Sequence, residues 1–167
     1  MQDSLLILAP AWFIAGQGIA AANDAVRMRI PNALILYLLA GAALAATLSP
    51  PGWLDLAART AVGLAILGGG LALFARGWMG GGDVKLLAVT ALWLGPAATP
   101  GLLILTALGG GVLTLALVAA RSLGAGRLAG HRIAALRDPM DRVPYGIAIA
   151  AAAIAAALLR PEALSMG

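Results

Sequence analysis

Two carboxylates hold the positions in this chain where chemistry is most readily placed. Asp83 sits in the stretch Arg76-Gly77-Trp78-Met79-Gly80-Gly81-Gly82-Asp83-Val84-Lys85, between two strongly apolar runs. A charged side chain beside a membrane-length apolar segment is costly, and is kept where it has a use or where water reaches it. Gly80 and Gly82 lack Cβ atoms, so backbone or substrate can come close to Asp83. Asp24 follows Asn23 just past the first apolar run and precedes Arg27, Arg29 and the Ile30-Pro31-Asn32 turn. Two carboxylates held close cannot both ionise easily, so one keeps a proton near neutral pH. Such a pair offers a base to water and an acid to a carbonyl or leaving amine. It titrates as a coupled unit, and the sequence does not say which aspartate holds the proton. The residues alone also leave a plainer reading open, in which each is an interfacial carboxylate capping the helix that follows it.

The elements that must position these residues are written in the composition. The chain has 167 residues, of which 62% are hydrophobic and 11% charged, and its mean hydropathy is +0.96. Average soluble chains carry roughly 25% charged residues, so a soluble globular domain is excluded. No polar stretch is long enough for an extramembrane domain, and residues 1–167 read as a single integral membrane domain. The net charge of +4 bears on orientation, and no nucleic-acid partner is expected. With no cysteine and one histidine, His131, neither a disulfide nor a metal site is expected, and no cofactor is implied.

Six apolar segments predict an all-α, polytopic protein with six transmembrane helices: Leu5 to Ala22, Ala33 to Leu48, Leu56 to Ala75, Val84 to about Thr99, Gly101 to Ala120, and Val143 to Leu159. A bilayer core takes about 20 helical residues, so the second and fourth are short. The first lacks the basic flank of a signal peptide, having only Met1-Gln2-Asp3-Ser4 ahead of it, and reads as a spanning helix. Of the eleven Lys and Arg residues, all but Arg59 and Arg160 fall in the connections after the first, third and fifth segments. The positive-inside rule puts those connections in the cytoplasm and both termini outside, with Asp24 and Asp83 at the cytoplasmic face. Ser49-Pro50-Pro51-Gly52, and Gly95-Pro96 through Pro100-Gly101, read as tight turns on the outer side. The longest connection, Arg121 to Arg142, is basic and cytoplasmic. Trp53 and Trp78 lie near segment ends, as indoles at headgroup level do. Gly68-Gly69-Gly70 and Gly109-Gly110-Gly111 fall inside helices, where small residues let neighbours approach.

Gly80-Gly81-Gly82-Asp83-Val84-Lys85 resembles the GxGD signature of intramembrane aspartyl proteases, in the extended form GxGDxK. Asp24 with Arg29-Ile30-Pro31-Asn32 is similar to the first aspartate region of prepilin peptidases, and Pro144-Tyr145-Gly146 to their C-terminal motif. The three motifs in this order cover nearly the whole chain, which resembles the short, single-activity prepilin peptidases of tight-adherence (Flp-type) pilus systems. Longer relatives insert a segment with paired cysteines between their first two helices. Asp24 to Asn32 leaves no room for one, so zinc at that place is excluded and N-methylation of the mature pilin is not implied.

The resemblance implies a bacterial inner-membrane endopeptidase. Its substrate would be a prepilin whose basic leader stays cytoplasmic, cut after a glycine. Asp24 and Asp83 would activate water and protonate the scissile amide, with no covalent intermediate. Gly80, Gly82, Lys85 and Tyr145 are the supporting candidates. Lys85 either steadies an ionised carboxylate, meets an acidic substrate residue, or snorkels to the interface. Pro144-Tyr145-Gly146 shapes the start of the last helix, with Tyr145 a candidate hydrogen-bonding neighbour, and Pro31-Asn32 sets a helix start. Arg27, Arg29 and Arg76 read as topology determinants, while His131, Asp138 and Asp141 are loop residues. Two other functions compete. One is a small transporter or ion-binding bundle using Asp24 and Asp83. The other is a presenilin-like protease, which gives Lys85 and the Arg29-to-Asn32 turn no role.

Overall fold

The computed structural model describes residues 2–122 and 143–164, and every element among them is helical. The elements are α1 (Gln2–Arg27), α2 (Asn32–Leu48), α3 (Trp53–Ala75), α4 (Gly81–Ser122), α5 (Tyr145–Leu159) and a 3-10 turn, Pro161–Leu164. His131, Asp138 and Asp141, with most of the basic connection between Arg121 and Arg142, lie outside the described residues.

Local chemistry sets the helix ends. Met28 closes α1 in the left-handed region at φ 52°, its N–H donating to the Asp24 carbonyl at 2.9 Å. That position is normally taken by Gly or Asn. Pro31 stands immediately ahead of α2, as the sequence predicts. At the end of α3, the Gly77 N–H donates to the Phe74 carbonyl at 2.9 Å and the Trp78 N–H to the Leu73 carbonyl at 3.0 Å. This Schellman pattern, with Gly77 at φ 74°, turns the chain toward α4.

The long fourth helix corrects one boundary. The turn expected from Gly95 through Gly101 shrinks to Gly95 alone, at φ 75° and ψ 176°, a conformation essentially restricted to glycine. Pro96 opens the second limb, where its missing N–H removes no helical bond, and the Thr99 hydroxyl donates to the Gly95 carbonyl at 2.7 Å. Pro100 and Gly101 are helical.

The limbs run in opposite directions, as their neighbours show. Gly70 of α3 packs on Val84, Gly63 on Leu92, and Gly95 lies against Arg59, so α3 and the first limb are antiparallel. The second limb returns, because Gly110 packs on the ring of Tyr145 while the far end of α5 leads to Ala163, a neighbour of Arg59. Along α1, Gly16 meets Leu38 and Trp12 meets Gly41, making α1 and α2 antiparallel as well. The described chain therefore makes six passes along the bundle.

Alanine-rich α5 is largely buried. It packs against α1 and α4 and buries Ala148, Ile149, Ala152, Ala153 and Ala156, the dense small-residue packing that joins helices in lipid. The glycine triplets share this task unevenly: Gly70, Gly109 and Gly110 meet neighbours, whereas Gly68, Gly69 and Gly111 face open space. Polar ties complete the bundle. The Trp12 indole N–H donates to the Tyr37 carbonyl at 3.0 Å, with the two rings stacked at 4.5 Å. The Trp93 indole N–H donates to the Leu38 carbonyl at 2.8 Å. Buried Arg59 donates to the carbonyls of Trp93 at 2.6 Å and Ala163 at 3.0 Å, and pairs with Asp55 at 2.6 Å. Trp93 lies in the last turn before the break at Gly95, where carbonyls lose their helical partners. Arg59 thus joins three chain segments at the end of the bundle away from Asp83.

The outer surface carries large apolar side chains, Leu36, Leu64, Leu108, Val112, Leu115 and Leu158 among them, in a quantity that water-facing monomers avoid. By length and composition, Trp53–Ala75 and Gly81–Ala120 are each apolar enough to cross a bilayer, the second comprising both limbs of α4. Asn32–Leu48 and Tyr145–Leu159 are shorter apolar helices. Exposed Trp53 and Trp78 lie at opposite ends of α3, and the Arg76 guanidinium sits over the Trp78 ring at 5.9 Å.

Candidate active site

Asp24 and Asp83 line one cleft of about 650 Å³ at the end of the bundle where α1 finishes and α4 begins. The α1–α2 connection forms one wall and Gly80, Gly81 and Gly82 form the other. The two carboxylates are within electrostatic reach of each other. They arrive by different routes: Asp24 on the last turn of a helix running toward the cleft, Asp83 on the first turn of one leaving it.

Asp24 is buried, and Oδ2 accepts the backbone N–H of Gly146 at 2.7 Å. The Ile147 N–H also acts on this carboxylate. Both donors belong to the first turn of α5, whose leading N–H groups have no partner within the helix. An aspartate from α1 therefore caps α5 from across the fold, where a carboxylate is favoured by the helix N-terminus. A Cβ at position 146 would lie 2.8 Å from Asp24 Oδ2 and 2.9 Å from Ile30 Cδ1, so only glycine admits this approach.

Asp83 is half-buried, and its carboxylate turns back to the Gly80 backbone N–H while the Val84 N–H donates to the Gly80 carbonyl at 3.1 Å. This is the carboxylate half of a capping box. Asp83 thus caps its own helix and also lines the cleft, so the capping reading and the cleft-facing one hold together. A Cβ at Gly80 would lie 2.7 Å from Asp83 Oδ2, so a side chain there would push the carboxylate out of its present position. Gly82 meets Ile30, whose Cβ would stand 3.1 Å from an added methyl.

Lys85 points to α2. Its Nζ donates to Asn32 Oδ1 at 3.0 Å, at an exposed position. The Tyr145 ring packs on Gly110, while the backbone of the next residue reaches Asp24. Gly146 and Ile30 are the two residues that sequence reasoning passed over. Ile30 wedges between Gly82 and Gly146 and so spaces the starts of α4 and α5. The signal for both lies in the motifs Ile30-Pro31-Asn32 and Pro144-Tyr145-Gly146, in an apolar side chain and a backbone N–H rather than in a polar side chain. Among the described residues, no group of three or more His, Cys, Asp or Glu side chains could hold a metal ion.

The arrangement sets two carboxylates on one cleft at the end of an apolar bundle. A family model for type IV leader peptidases matches residues 11–115, which include both aspartates. The chain belongs to the type IV leader peptidase family. It is accordingly a peptidase whose family acts on prepilins, and its apolar helices fit a membrane protein. The matched range ends ahead of Pro144-Tyr145-Gly146, so the Gly146 contact is a feature of this leader peptidase seen in its structure. Neither curated proteins nor solved structures gave a match to the chain.

Proposed function

We propose that this chain is an aspartyl endopeptidase of the bacterial inner membrane that removes the basic leader from Flp-type prepilins. The observation that carries the reading is the presence of Asp24 and Asp83 on one cleft, within electrostatic reach of each other. One carboxylate, ionised, takes a proton from water as that water attacks the scissile carbonyl. The other, protonated, gives its proton to the leaving amide nitrogen as the C–N bond breaks. The pair leaves this step with its proton exchanged between partners and nothing bound covalently. Gly80 admits the Asp83 carboxylate close to its backbone and Gly82 admits Ile30, so both glycines shape the wall of the cleft beside Asp83.

In this reading the six passes along the bundle are six bilayer crossings, residues 1–167 form one domain, and both ends lie outside. The cleft then opens to the cytoplasm, as the positive-inside distribution of Lys and Arg supports. A basic leader would lie at that face while the prepilin's apolar segment stays in the membrane. The absence of cysteine supports assignment to the short, single-activity group.

The test is purified protein in detergent or liposomes with an Flp-type prepilin. Wild type should cut after the glycine that ends the leader. Asp24→Asn and Asp83→Asn should each abolish cutting while the protein still inserts. Cutting at the wild-type rate by both single variants would sink the assignment.

A further inference from the structure

We infer that Gln17 and Thr90 are positioning residues, which set the register of α1 against the first limb of α4 and so bring Asp24 opposite Asp83. This rests on the aspartates being the catalytic pair. Gln17 Nε2 donates to Thr90 Oγ1 at 2.8 Å, and both residues are fully buried. Gln17 precedes Asp24 by two turns of α1, and Thr90 follows Asp83 by two turns of α4, so each shares a helix face with its aspartate. Because the helices run in opposite senses, the two pairs form successive rungs roughly 10 Å apart. Phe13 and Trp93 make a third rung one further turn away, their ring centroids 5.4 Å apart.

The middle rung differs in kind from the third. Two aromatic rings can slide across each other and stay in contact. A hydrogen bond between a buried amide and a buried hydroxyl cannot, because a shift of one turn leaves both ends unpaired in an apolar interior. Gln17 Oε1 is already buried without a partner. A half-satisfied amide is a poor source of stability, and apolar residues of similar volume would pack there at no loss. Register is the property this pair supplies that an apolar pair does not. α1 and α4 are also linked through α2, where the Tyr37 carbonyl accepts the Trp12 indole N–H and the Leu38 carbonyl that of Trp93, and through α5 at Gly146. Among the described residues, Gln17 to Thr90 is the direct side-chain hydrogen bond between α1 and α4.

Gln17→Leu, Thr90→Val and the double variant test this, with Thr90→Ser as the conservative control. The thermal midpoint of the double variant should be unchanged or raised. Leader cleavage should fall about tenfold or more in kcat with little change in KM, as misplacement of reacting groups requires. The double variant should be no slower than either single one, and Thr90→Ser should restore the wild-type rate. A second readout does not depend on catalysis. The chain has no native cysteine, so Asp24→Cys with Asp83→Cys can be bridged by thiol crosslinkers of graded length without background. Gln17→Leu should move or broaden the preferred length. Unchanged crosslinking in the Gln17→Leu and Thr90→Val backgrounds overturns the inference. Altered crosslinking with unaltered cleavage upholds the register and overturns the catalytic reading of the aspartates.

Discussion

The backbone N–H of Gly146 donates to Asp24 Oδ2 at 2.7 Å, tying the last turn of α1 to the first turn of α5. One aspartate is thus oriented by a helix remote from it in sequence, while the other is oriented by its own helix through the Gly80 N–H. The site depends on both the packing of α5 and the local turn at Gly80.

Gly146→Ala should therefore damage the site. The added methyl would meet Asp24 Oδ2, Asp24 Cβ and Ile30 Cδ1, all within 3.0 Å. Overpacking of this kind costs about 1–3 kcal/mol. Thermal melts and leader cleavage should both fall, cleavage more than the melt predicts, because Asp24 is the group displaced.

A paired comparison isolates packing from chemistry. Gly110→Ala places a methyl 2.6 Å from the Tyr145 ring, whereas Gly111→Ala meets nothing within 4 Å. The first should lower the thermal midpoint and the second should hold or raise it, since Ala exceeds Gly in helix propensity by about 1 kcal/mol.

Arg59→Leu should be among the most destabilising substitutions away from the cleft. It leaves the carbonyls of Trp93 and Ala163 without the donors they now have, and Asp55 without its partner. Asp55 is partly exposed and can turn to water, so the cost lies in the two carbonyls, at about 1–3 kcal/mol for each buried acceptor left unsatisfied. Arg59→Lys should recover part of this, as an ammonium reaches fewer of the three acceptors than a planar guanidinium. Urea or thermal unfolding in a fixed detergent measures both.

Met28→Gly should stabilise the protein. Met28 holds φ 52°, a conformation that costs an L-residue roughly 1–2 kcal/mol and glycine little. The expected rise in thermal midpoint is modest. A fall would mean that the side chain, which lines the cleft, packs more strongly than the strain it carries.

Leader cleavage should pass through a maximum with pH. A shared-proton pair is inactive at low pH, where both carboxylates are protonated and no base remains. It is inactive again at high pH, where both are ionised and no acid remains. Initial rates across a pH series, with stability checked at each point, should give this bell. A single sigmoid would show that one carboxylate works alone.

Much of this was legible in the sequence, and the limits have physical causes. The helices announced themselves through long apolar runs, and α2 starts where Pro31 said it would. Asp24 and Asp83 do share a cleft. The boundary at Gly95 was misjudged because two prolines and two glycines read as a loop, yet Pro96 is at home in a first helical turn and one glycine sufficed for the reversal. Gly146 escaped notice because its contribution is a backbone N–H, which every residue but proline possesses. Lys85 to Asn32 is likewise a tertiary pairing that spacing along either helix does not encode.

The single-residue reversal at Gly95 gives the bundle an even number of passes, which ties its geography together. The start of α1 and the 3-10 turn at Pro161–Leu164 lie at the same end, and the cleft lies at the other. In the proposed topology, finding the start of α1 on one face of a bilayer by its accessibility to a reagent places Pro161–Leu164 on the same face and the cleft on the other, where a peptide would present itself to be cut.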